Sequence, residues 1–227
     1  MGLNRTEQTV DPDKLEQLDW YHWNPGVDND EQRLGDVLAT LPAVPPTAIP
    51  WQIRLLENPS SRFALPGAIN LADHDVVHII LGRGLKLQDE AFVIGYTMGN
   101  DKRAKEWHRR FFKLAAQRFY PKPYNFKPRD LMIFDLGWRL GESVKFRRGI
   151  SDIHLANLAT RQDETVGEVR RAMGLVNAAL HSAFNYEQSM IIDSSASRRL
   201  DTSRDYDPAS LLSPEGEDVP PGKREKE

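Results

Sequence analysis

The sequence predicts a mainly α fold, a single-domain helical bundle, on three observations. Apolar residues recur at three- and four-residue steps in segments spread from Leu71 to Phe184, glycines and prolines punctuate those segments, and period-two alternation of the strand kind is scarce. A chain of 227 residues with 40% apolar side chains has enough material for one buried core, which excludes general disorder. The chain has no cysteine, so disulfides, thiolate metal sites and thiol nucleophiles are excluded, and any metal must sit on nitrogen and oxygen ligands. No run approaches the roughly 18 apolar residues that cross a bilayer.

Residues 1–40 read as an acidic arm. Asp11, Asp13, Glu16, Asp19, Asp28, Asp30 and Glu31 surround Trp20, Tyr21 and Trp23, so the arm is expected to be extended, with aromatics docked on a surface. It lacks the basic start and apolar run of a signal or transit peptide, which predicts a cytoplasmic protein. The helical domain is expected over 41–193. Pro42, Pro45, Pro46 and Pro50 forbid a long helix there and leave room for a short one from Pro50 to Asn58-Pro59. Asn70 caps a helix over Leu71–Leu81, Asp73 sits near its positive end, and Gly82 and Gly84 stop it.

A second helix from about Gln88 to Gly99-Asn100 is apolar almost all round, which places it centrally. Ala104, Trp107, Phe111, Leu114, Ala115 and Phe119 mark an amphipathic helix ended by Pro121 and Pro123, and another is expected within Arg129–Arg147. Val166, Val169, Met173, Val176, Leu180 and Phe184 predict one last helix over about Glu164–Phe184, and Ser194–Glu227 reads as a disordered tail.

Chemistry concentrates in His74-Asp75-Val76-Val77-His78. At about 100° per residue the two imidazoles lie roughly 40° apart and one turn above each other, so they can grip one ion, with Asp75 on the flank as ligand or partner. Glu90, twelve residues on, would be roughly 18 Å away on an unbroken helix, but a reversal at Gly82-Arg83-Gly84 lets it face the pair. Such a pair also serves as ordinary polar or capping residues, yet the apolar neighbours Val76, Val77, Ile79, Ile80 and Leu81 predict burial, where a cluster without partner or ion is costly. The pattern departs from the zinc-peptidase His-Glu-x-x-His in carrying Asp75 where the longer Glu is needed, and a His-Asp phosphohydrolase would want a further His and Asp. His108, His154 and His181 stand alone.

The run His74-Asp75-x-x-His78, eleven residues and Glu90 resembles the signature of the coenzyme Q (ubiquinone) biosynthesis protein four family, over about Pro66–Tyr186. That resemblance implies a mostly helical fold whose central helix pair carries a divalent metal, zinc in the usual description, on His74, Asp75, His78 and Glu90, with Asp75 and Glu90 as catalytic carboxylates. It further implies an apolar tunnel for a prenyl lipid, for which Phe92, Tyr96, Trp107 and Phe111 are the candidate lining and plain core the alternative. The implied activity is oxidative decarboxylation with hydroxylation of a polyprenylated hydroxybenzoate. The alternatives are a non-catalytic prenyl-lipid scaffold for other quinone-biosynthesis enzymes and a phosphohydrolase acting on prenyl phosphates or nucleotides. The donor set also suits iron or manganese, and magnesium weakly. The oligomeric state is open, a homodimer included.

Lys102–Arg129 carries ten basic residues against the single acid Glu106, a local balance of +9 in a chain of net charge −3. With its aromatics this stretch suits an anionic membrane surface, giving a peripheral attachment; a solvated basic face is the alternative, and nucleic acid ranks lower because no recognised motif accompanies the charge.

Overall fold

The computed structural model describes residues 19–42, 59, 61, 64–122, 124–147 and 152–199, and among them it is helical with no strand. In chain order the helices are α1 (Asp19–His22), α2 (Leu34–Ala39), α3 (Leu71–Leu81), α4 (Leu87–Asn100), α5 (Glu106–Arg118), α6 (Pro128–Val144), α7 (Val166–Ala172), α8 (Asn177–Met190) and α9 (Ser195–Arg199). Two 3-10 turns, Ile153–Leu155 and Leu158–Thr160, link α6 to α7. The short helix expected from Pro50 to Asn58 lies outside the described residues.

The local signals for α3 act as expected. The Asn70 side chain accepts from the Asp73 N–H at 2.9 Å, and Gly82 ends the helix at φ 64°, a left-handed conformation that L side chains avoid. Gly82 is required for space as well, since a Cβ there would lie 2.9 Å from the Gly26 carbonyl oxygen and the Val27 Cα.

Helix α4 is apolar all round because it lies between two cores. Phe92, Val93 and Tyr96 join the larger one with Val76, Ile80, Val169, Leu180 and Phe184, whereas Ala91, Ile94 and Met98 join a smaller one with Phe112, Phe126, Phe134 and Trp138. Between these faces α4 meets α6 backbone to backbone. A Cβ on Gly95 would lie 2.1 Å from the Phe134 carbonyl oxygen, and one on Gly137 would lie 2.1 Å from that of Phe92. Gly99 and Gly141 repeat the contact one turn further along, so the two helices run parallel in register.

Three expectations are corrected. Residues 21–40 dock through Trp23 as expected but are part of the domain, not an extended arm: Trp23, Val27, Leu34 and Val37 belong to the main core, and the buried Arg170 guanidinium donates to the Val27 carbonyl and the Asp30 carboxylate, both at 2.7 Å. The long helix over Glu164–Phe184 is two helices, because Gly174 turns left-handed at φ 69° and Val176 is extended, which restarts the helix at Asn177. The apolar stripe nevertheless continues across the break through Val169, Met173, Leu180 and Phe184, which hid it from a reading of periodicity. The start of the expected tail is ordered: Ser194 and Ser197 are buried against α4 and α8, where the Ser194 hydroxyl donates to Gln88 Oε1 at 2.5 Å.

Candidate metal centre

The reversal at Gly82–Lys86 turns the chain so that the first turn of α4 faces α3. Glu90 Oε1 lies 3.2 Å from His78 Nε2, and Glu90 Oε2 lies 3.6 Å from His74 Nε2. The two imidazole centroids are 4.8 Å apart, as expected for residues one helical turn apart. His74, His78 and Glu90 thus offer three ligand atoms within 4.8 Å of one another.

A tetrahedral ion with bonds of about 2.0–2.1 Å holds its ligand atoms roughly 3.3–3.4 Å apart, which falls between the two observed imidazole–carboxylate spacings of 3.2 and 3.6 Å. The Nε2 atoms of His74 and His78 are both buried and make no hydrogen bond. Buried polar atoms without a well-formed hydrogen bond are rare and costly in a protein interior, and two that converge on one carboxylate fit a shared cation. The second face of His78 is fixed: its Nδ1 lies 2.8 Å from the Gly84 carbonyl oxygen, which can only accept. In the neutral ring the proton therefore sits on Nδ1 and the Nε2 lone pair points into the site.

The hairpin turn is anchored from below. Arg83, wholly buried, donates through Nη1 to Glu187 Oε2 at 2.5 Å and is sandwiched by the rings of Phe92 and Phe184 at 3.7 and 4.4 Å. Gln88, one turn before Ala91 and two residues before Glu90, donates to the same Glu187 carboxylate and to Ser197. The sequence gives no hint of this support, because its partners lie about a hundred residues apart, as in Arg83 and Glu187.

Asp75 stays outside the three-atom cluster. Burial raises its carboxyl to about 6, against opposing attraction from His78. Burial lowers His74 to about 4, whereas the Glu90 carboxylate lifts His78 above its ordinary value despite burial, and the two imidazoles hold Glu90 below its own. Without metal, His74 is therefore neutral at pH 7, while the Glu90 carboxylate favours the protonated form of His78.

These directions set the pH response of the metal-free protein. The unfolded chain protonates His74 near pH 6.5 and the folded chain only near 4, so acidification through that window costs stability. Asp75 acts oppositely: the folded state takes its proton near 6 and the unfolded chain near 3.8, so acidification through that window favours the fold. The His78–Glu90 pair acts outside this range: its contribution is lost above 6.5, as pH rises through the raised value of the folded His78, and below 4.5, as pH falls through the lowered value of the folded Glu90. Asp75→Asn removes the compensating slope. Its apo form is expected to melt at progressively lower temperature from pH 6.5 to 4 while the wild type changes little, and parallel melting curves would contradict the assignment of these shifts.

The four candidate lipid residues do not share one slot. Phe92 and Tyr96 are fully buried in the larger core, while Trp107 and Phe111 are 59% and 43% exposed on α5. The apolar crevice that does reach His74 is lined by Pro66, Ile69, Ile94, Met98 and Phe112, with a cavity of about 20 Å³, room for about one water. Ile94 and Met98 lie two residues on from Phe92 and Tyr96, on the other side of α4, and Phe112 lies one residue on from Phe111.

The remaining histidines have protein partners. His154 Nδ1 meets Asp152 at 2.5 Å, His181 Nε2 meets Asp28 at 2.7 Å, and His108 Nδ1 accepts the Lys105 N–H at 3.0 Å. Asp101, Asp152 and His154 form a second close group, but Arg103 already binds both Asp101 oxygens, at 3.0 and 2.5 Å, and supplies the compensating cation.

No family model, curated protein or solved structure matches the chain.

Proposed function

We propose that the chain is a metal-dependent enzyme of prenylquinone biosynthesis that acts on the carboxyl-bearing head group of a polyprenylated hydroxybenzoate. The observation that carries the reading is the convergence of two buried imidazole nitrogens on one carboxylate beside an apolar crevice. His74, His78 and Glu90 would hold the ion, with zinc the first choice for two nitrogens and one oxygen, and iron and manganese next. When bound, the ion supplies a Lewis acid with an open position that polarises a head-group oxygen.

The charge of the site selects its ligand. Two neutral imidazoles and one carboxylate leave a divalent centre with net charge +1, which the carboxylate of an aromatic acid balances. Asp75, with its carboxyl near 6, sits on the flank of the cluster, where it can hold or accept a proton as the head group changes charge. The crevice residues Ile94, Met98 and Phe112 give the proximal prenyl units an apolar wall. Because the cavity holds about one water, a prenyl chain enters only as the 64–70 segment parts from α4.

Exchanging a carboxyl for a hydroxyl releases carbon dioxide and is an oxidation, so an external oxidant supplies the new oxygen atom. The test is turnover of a prenylated 4-hydroxybenzoate under air by metal-loaded protein, read as hydroxylated product by mass spectrometry. Wild type is expected to form product and Glu90→Ala to form none. A wild type that binds the prenylated acid without converting it supports the scaffold reading instead.

A further inference from the structure

Four of the exposed large apolar residues cluster at one place, Trp107, Phe111, Leu114 and Phe119, with exposures of 59, 43, 57 and 63%. The first three fall at i, i+4 and i+7 on α5, within an arc of roughly 60°. The buried side of the helix, Phe112, Ala115 and Ala116, is centred more than 100° from the centre of that arc by the same rotation. A stripe of this kind facing solvent marks a surface that meets something apolar.

Its surroundings say what. Lys102, Lys105, Arg110, Arg118, Lys122 and Lys127 are all exposed along this helix and its flanks. The acids within reach are spent: Glu106 pairs with Arg109 and Arg110, and Asp135 holds Arg109 and Lys113. An apolar stripe flanked by cations matches a bilayer whose surface is anionic and whose interior is hydrocarbon. Single-stranded nucleic acid would be served by stacking platforms, and Leu114 in the middle of the stripe has no ring to offer.

We infer that α5 is a membrane-surface helix that lies in the plane of an anionic bilayer, with Trp107, Phe111 and Leu114 inserted and the surrounding Lys and Arg side chains on lipid phosphates. The opposite side of α5 carries Phe112, which lines the crevice that reaches His74. One helix, about 10–12 Å across, thus separates the bilayer from the crevice. Docking by this face needs neither His78 nor Glu90, so it stands or falls apart from the metal chemistry.

The experiment is co-sedimentation of the full chain with phosphatidylcholine vesicles, with and without phosphatidylglycerol, at low and high salt. Wild type is expected in the pellet with phosphatidylglycerol vesicles and released by salt. Trp107→Ser/Phe111→Ser/Leu114→Ser, all surface changes, is expected to keep its helical spectrum and melting temperature while its partition falls at least about tenfold. Arg110→Glu/Arg118→Glu should lose the preference for anionic vesicles, and Glu90→Ala should bind as wild type does. Wild type left in the supernatant, or equal binding by the triple variant, overturns the inference. So does capture of a single-stranded oligonucleotide in preference to vesicles, or a dimer that the triple variant dissolves while neither protein binds lipid.

Discussion

Gly137→Ala is expected to unfold the protein or to leave it with a small residue of its stability. In a free helix the change would help by about 1 kcal/mol, because alanine is the better helix former. Here the added methyl lies 2.1 Å from the Phe92 carbonyl oxygen and 3.0 Å from the Tyr96 nitrogen, and both obstacles are backbone. No rotamer change relieves the clash, so α4 and α6 must separate by more than 1 Å along an interface that also holds Gly95, Gly99 and Gly141. Overpacking of side chains costs about 1–3 kcal/mol, and an obstacle that cannot rotate away sets the cost at or above the top of that range. Against a total stability of roughly 5–15 kcal/mol the loss dominates the propensity gain. Chemical denaturation of Gly137→Ala checks this, with the exposed-helix change Gln117→Ala as a control expected to shift stability by less than about 0.5 kcal/mol. A melting curve equal to wild type would show that the two helices do not meet at these glycines.

The second large effect falls on metal affinity. His78→Ala removes a ligand whose other nitrogen is fixed on Gly84, and Glu90→Ala removes the only anion in the three-atom cluster. Each is expected to lower zinc affinity by more than the roughly 10–100-fold that loss of an outer-shell partner costs. Titration calorimetry also reads a proton. Glu90 raises the proton affinity of His78 in the metal-free state, so ion binding is expected to release protons, more of them as pH falls, and affinity is expected to rise with pH until His78 is neutral. Equal affinities in wild type and both variants, or binding without proton release below the raised His78 value, would place the ion elsewhere.

Much of this arrangement is legible in the chain because its causes are local. Asn70 and Gly82 set the ends of α3 through their own backbone bonds, the four-residue spacing stacks two imidazoles, and glycines after Leu81 permit the reversal that brings Glu90 across. What escapes the sequence depends on a partner distant in the chain. Gly95 and Gly99 look like weak points in a helix until Gly137 and Gly141 are found against them. Trp107 and Phe111 carry the signal of a buried stripe, and only the packed helix shows that the buried residue is Phe112, one position and about 100° further round. Trp23 looks like part of an acidic arm until it is found in one core with residues of α3, α7 and α8. Ser194 and Ser197 read as tail because their value lies in meeting Gln88 and Glu187.

The central claim is that one divalent ion belongs between the two turns of α3 and the first turn of α4. Anomalous diffraction at the zinc edge, on crystals grown with zinc, tests it most directly. A single strong peak bonded to His74 Nε2, His78 Nε2 and a Glu90 oxygen is the expected result; density only at Asp101, Asp152 and His154, or none between the imidazoles, would contradict it.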